Sequence, residues 1–116
     1  MTPATNRQAV EHYRRATELD PDYALAWAGL ADAYSASPMN SDASPHEMAP
    51  RARDAAARAV KSGPDLAETQ TALGTVNYWL EWNWPAAETA FRKAIDFDYS
   101  YSQAHRVLGI VLAWLA

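Results

Sequence analysis

Trp27-Ala28-Gly29-Leu30-Ala31-Asp32-Ala33-Tyr34 is the stretch that decides the fold. Trp27, Leu30, Ala31 and Tyr34 stand at i, i+3, i+4 and i+7, which lines them up as one stripe along a helix. The same frame returns as Gln70-x2-Leu73-Gly74-x2-Asn77 and again as His105-x2-Leu108-Gly109-x2-Leu112. A second frame alternates with it: Ala9-x3-Tyr13-x2-Ala16-x4-Pro21, then Ala52-x3-Ala56-x2-Ala59-x4-Pro64, then Ala87-x3-Phe91-x2-Ala94-x4-Tyr99. Two alternating helical frames mean stacked copies of one small unit, each hiding its apolar face on the next.

Working outward, the turn formers divide the chain into six helices. Asp20-Pro21-Asp22 ends a first helix that starts near Asn6, because the residue before a proline is pushed out of the α region. A second helix runs from about Tyr23 to Ala36, and the turn-forming residues from Ser37 to Asp42 read as a loop. Ser44-Pro45-His46-Glu47 opens the third with capping-box spacing and proline at the first helical position. Pro50 should kink that helix or shorten its first turn. Gly63 is expected to close it in the left-handed conformation, with Pro64 stopping propagation. A fourth helix covers about Asp65 to Glu81. Asn83 caps a fifth that ends near Phe97, and a sixth begins near Tyr101. Few residues favour strand, so the fold class is all-α.

The intervals between copies agree with one another. Trp27 to Gln70 and Ala9 to Ala52 are both 43 residues, whereas Gln70 to His105 and Ala52 to Ala87 are both 35. Both helices of a unit therefore shift together. Against a unit of about 34 residues, the first interval holds a surplus in the Ser37–Ser44 region, where loop length costs little entropy.

Composition narrows the function classes. In 116 residues with 49% apolar content there is room for one domain. The formal net charge of −4 and the scatter of the basic residues argue against nucleic acid as a partner. Arg51, Arg53, Arg58 and Lys61 form the densest basic group and read as a solvated helix face. Without cysteine neither a disulfide nor a thiolate zinc site is possible, which fits a reducing, cytoplasmic setting. No signal peptide is recognised at the start. The apolar run from Val107 to Ala116 is about half of a membrane span, so no membrane partner is expected. His12, His46 and His105 show no metal-ligand spacing, and there is no glycine-rich phosphate loop. No enzyme activity, catalytic residue, metal or cofactor is expected.

The two frames resemble tetratricopeptide (TPR) repeats. The resemblance implies a right-handed superhelical stack of antiparallel helix pairs: a half-repeat over 6–22, a repeat over 23–65 with an insertion at 37–44, a repeat over 66–100 and a half-repeat over 101–116. It also implies a concave groove lined by the first helix of each repeat, and a role as a protein- or peptide-binding scaffold. A narrower resemblance lies in Tyr78-Trp79-Leu80-Glu81-Trp82-Asn83-Trp84-Pro85-Ala86-Ala87-Glu88-Thr89-Ala90-Phe91-Arg92-Lys93-Ala94-Ile95. It is similar to repeat regions attached to bacterial signalling proteins, with Asn83 in place of the usual aspartate and Tyr99 in place of the loop proline.

Residues off the packing stripe are expected to face the groove. These are Leu25, Ala28, Asp32 and Ser35, then Glu68, Thr71, Thr75 and Tyr78, then Gln103, Arg106 and Ile110. Asp32, Thr71, Thr75, Tyr78 and Arg106 are the candidate contacts for a partner. The lysine-asparagine clamp of relatives that bind a terminal carboxylate is missing, since Ala28, Asp32, Thr71 and Thr75 hold the corresponding face. Trp79, Trp82 and Trp84 are expected to staple the turn between the fourth and fifth helices. The last helix is apolar almost all round, so Val111, Trp114 and Leu115 are candidates for self-association. An architectural segment that positions or dimerises flanking domains is the alternative function.

Overall fold

The computed structural model of the chain describes residues 3–36, 44–98 and 102–115. Those residues form six α-helices: α1 Pro3–Leu19, α2 Ala24–Ala36, α3 Pro45–Ser62, α4 Ala67–Trp79, α5 Trp84–Phe97 and α6 Ser102–Leu115. No strand occurs among the described residues. The segment Ser37–Ala43, which holds most of the insertion, and Tyr99 at the last loop lie outside them.

Local chemistry explains most boundaries. Asp20 Oδ1 accepts from the Asp22 amide at 3.2 Å, which holds the turn at Pro21 after α1. Ser44 Oγ accepts from the Glu47 amide at 3.2 Å and caps α3. Asn83 Oδ1 does the same for α5 through the Ala86 amide at 3.3 Å. Helix α3 continues through Pro50; the carbonyl that its missing N–H frees belongs to His46, and both residues are exposed, so water can satisfy it. Two expectations need correction. Gly63 has φ −143° and is not left-handed. What Gly63 supplies is space, because a Cβ there would lie 2.8 Å from that of Ala24 and 2.7 Å from Leu66 Cδ1. Helix α4 is shorter than the reading from Asp65 to Glu81. It has no side-chain cap at Leu66, and the amides of Leu80 and Glu81 both turn back to the Val76 carbonyl.

Packing follows a helical-repeat order of antiparallel pairs. Each helix packs on its successor, and in addition α2 packs on α4 and α4 on α6. The even-numbered helices therefore form one continuous layer. The odd-numbered helices are not among the main packing pairs with one another. The core between α2, α3 and α4 is built mostly from alanine: Ala28, Ala31, Ala52, Ala55, Ala56, Ala59 and Ala72, joined by Leu30, Val76 and Leu80. Such small side chains let helix backbones approach closely, so stability comes from dispersion summed over a long contact. Between α4, α5 and α6 the core is aromatic, with Tyr78, Phe91 and Leu108 around Ala87. The Phe91 ring lies over Gly74, where a Cβ would stand 2.7 Å from Cε1. Tyr13 of α1 covers Gly29 of α2 in the same manner.

One polar tie recurs that the sequence frames did not reveal. Trp27 Nε1 donates to the Pro21 carbonyl at 2.7 Å, and Gln70 Nε2 donates to the Pro64 carbonyl at 3.0 Å. Trp27 and Gln70 share one frame position, and so do Pro21 and Pro64. Two unlike side chains thus make the same bond from the first turn of a helix to the loop before it. Trp27 is half-buried at the edge of the alanine core, with the Arg58 guanidinium 5.0 Å from its ring centroid.

Candidate functional site

Helix α2 is covered on most sides by α1, α3 and α4. Its one exposed residue is Leu25, and the half-buried Asp32 and Ala36 follow at i+7 and i+11, with Gly29, at i+4, under the Tyr13 ring. These share one face. On α4 the corresponding strip holds Glu68 and Thr75, half-buried, and Trp79, exposed. On α6 the counterpart of Asp32 and Thr75 is Ile110, which is exposed; Arg106, Gly109 and Ala113 are exposed as well but stand at the frame positions of Thr71, Gly74 and Tyr78. Because α2, α4 and α6 adjoin in that order, these strips are the surface that a partner could reach.

The five candidate contacts divide. Asp32 and Thr75 lie in the strips, and Arg106 is exposed beside them at the frame position of Thr71. Thr71 is 1% exposed and Tyr78 is 7% exposed, so both sit beneath the surface. Tyr78 belongs to the aromatic core with Phe91 and Leu108 and meets Trp79 edge-on, with ring centroids 4.7 Å apart. Ala28 and Ser35 are also buried, and Ser35 Oγ bonds back to the Ala31 carbonyl at 2.9 Å. Tyr78 occupies the frame position of Ser35, and both are buried.

The polar chemistry of the strip centres on α2. Thr75 Oγ1 donates to the Thr71 carbonyl at 2.9 Å and is thereby satisfied. Asp32 holds the equivalent position one copy earlier and has no such partner: its Oδ1 is buried without a hydrogen bond. Burial raises the Asp32 carboxyl from 3.8 to about 7, since a low-dielectric site disfavours the charged form. Thr71 Oγ1, on the adjoining helix, is likewise buried and unbonded. Buried polar atoms of this kind are few in native proteins, and each calls for an explanation.

Elsewhere the charged groups are committed to solvated helix faces. Arg53 reaches Glu81 at 2.6 Å, Arg58 pairs with Asp54 at 3.1 Å and Arg92 with Glu88 at 2.9 Å. Among the described residues no group of three or more His, Asp or Glu could hold a metal ion, and no helix is long and apolar enough to cross a membrane. The tryptophans of the α4–α5 turn behave unequally. Trp84 packs on the aromatic core, whereas Trp82 is 72% exposed and sits at φ 56°. That left-handed conformation is uncommon for a bulky residue, and it is where the chain reverses. Val111, Trp114 and Leu115 lie on the helical backbone of α6, but their side chains are outside the described set, as is that of Gln103.

Residues 6–37, which comprise most of α1 and all of α2, match the family model described as a TPR repeat. Over that stretch the chain is similar to a tetratricopeptide repeat. A comparison with curated proteins found no match. The TPR match covers the copy that holds Tyr13, Trp27 and Asp32. With the six-helix layering, it is consistent with an all-α, TPR-like helical-repeat fold.

Proposed function

We propose that this TPR-like protein is a non-catalytic scaffold that receives a protein or peptide segment along α2, α4 and α6. The observation that carries the reading is the unbonded Asp32 carboxylate on the open strip of the layered helices. Asp32, Thr75 and Arg106 are the contacts within reach; Thr71 and Tyr78 shape the floor beneath them. The units are taken as a half-repeat over 6–22, repeats over 23–65 and 66–100, and a half-repeat over 101–116. The likeness of residues 78–95 to repeat regions of bacterial signalling proteins supports membership of a larger bacterial regulator. The absence of cysteine supports a cytoplasmic one.

The test is partner capture by wild type against Thr75→Lys and Arg106→Glu, both checked for folding by circular dichroism. Loss of a partner from either variant supports the groove; retention of every partner by both removes it. A second reading, an architectural segment that self-associates through α6, is favoured by Ile110 and Leu112, which are 42% and 37% exposed. Light scattering at rising concentration checks it, and a constant monomer mass would end it.

A further inference from the structure

The groove reading leaves open what the partner must offer, and the polar atoms of α2 and α4 bear on that. Asp32 holds the one buried carboxylate oxygen without a hydrogen bond among the described residues. Five of the chain's eight arginines pair with other carboxylates: Arg14 and Arg15 with Glu11, Arg53 with Glu81, Arg58 with Asp54, and Arg92 with Glu88. Oδ2 is not among those enclosed, unbonded atoms, and Asp32 as a residue is half-buried on the strip. Folding has no need of an acid at this position. Its counterpart Thr75 satisfies itself by bonding back to the Thr71 carbonyl. A carboxylate taken out of water with no internal cation is costly to keep, and an external cation removes that cost.

We infer that the groove's occupant is a basic peptide whose lysine or arginine side chain docks on Asp32. The inference rests on the groove reading above and adds the chemistry of the ligand. A guanidinium or ammonium brings several N–H donors and a positive charge, which suits a carboxylate that lacks a donor of its own. The chain's net charge of −4 favours the approach of such a peptide.

A displayed library of random linear peptides, selected at pH 8 on the whole chain, tests this. Asp32→Asn keeps the side-chain shape and removes the charge, so its fold should survive, as a thermal midpoint checks. Peptides that bind wild type and lose binding to Thr75→Lys should share a lysine or arginine. Replacing that residue by glutamine should weaken binding to wild type by at least about tenfold and leave binding to Asp32→Asn little changed. Groove-dependent peptides without a common basic residue, or with equal affinity for wild type and Asp32→Asn, overturn the inference while the groove reading stands. Selected peptides that ignore Thr75→Lys overturn both.

Discussion

Gly74 and Gly109 occupy the same frame position, each following the leucine of its copy, yet their surroundings are opposite. Gly74 is buried under the Phe91 ring of the next helix. Gly109 is exposed, and a Cβ built there meets nothing within 4 Å. Ala31, the third occupant of the position, is fully buried in the alanine core. The frame therefore specifies a small residue wherever a following helix closes over it, and the closing helix sets how small. Alanine faces alanine between α2 and α3; glycine receives an aromatic ring between α4 and α5. Glycine in α6 receives neither.

The largest way to break this comparison is to remove the ring. Phe91 is fully buried, so Phe91→Ala should cost about 3–5 kcal/mol, measured by urea unfolding. A loss below about 1 kcal/mol would mean that α5 does not close over Gly74 as described. The alanine core has no single residue of comparable weight, because its stability is spread over many small contacts.

Asp32 and Thr75 sharpen the comparison in a second way, since they also share a frame position and differ in how the copy satisfies it. The Asp32 carboxyl titrates at about 7 in the folded chain against 3.8 when free of it. Between these values the folded state holds a proton that the unfolded state has lost. The contribution is full below the lower value and is lost as pH rises through the upper one. Asp32→Asn should therefore be near neutral at pH 4 and more stable than wild type by about 2 kcal/mol at pH 8, after discounting for partial solvent access. Equal effects at the two pH values would show that the carboxylate is not desolvated.

Much of this was legible in the letters, for reasons that can be named. Helix periodicity, the Pro21 and Pro64 stops and the Ser44 and Asn83 caps act locally, so the sequence alone places the helices. What the frames could not show is which off-stripe residue the neighbouring helix covers. Ser35, Thr71 and Tyr78 leave the apolar stripe, which points them to the groove, yet helices of the even-numbered layer are flanked on several sides and bury those positions too. The acid at Asp32 was visible, but its want of a partner depends on where every arginine side chain ends. Trp27 and Gln70 look unrelated as letters. Their common bond to a loop proline carbonyl appears only when the helix starts are placed in space.

A smaller effect tests the glycines themselves. Gly74→Ala gains about 1 kcal/mol of helix propensity but forces the Phe91 ring aside in a close-packed core, which costs about 1–3 kcal/mol. A net loss of about 1 kcal/mol should follow, and a net gain would show that the ring can yield. Gly29→Ala beneath Tyr13 should behave alike, with a smaller loss because Tyr13 is half-buried.

Gly109→Ala carries the smallest change and the clearest sign. With no neighbour to displace, only the backbone term remains, and alanine should stabilise α6 by about 0.5–1 kcal/mol. The sign depends on the face being open in solution. If a second copy of the chain packs there as Phe91 packs on Gly74, the added methyl should lower the midpoint and make it depend on concentration. Thermal unfolding of both variants across a range of concentrations separates these cases, because Gly74→Ala acts within one chain and its effect should be independent of concentration.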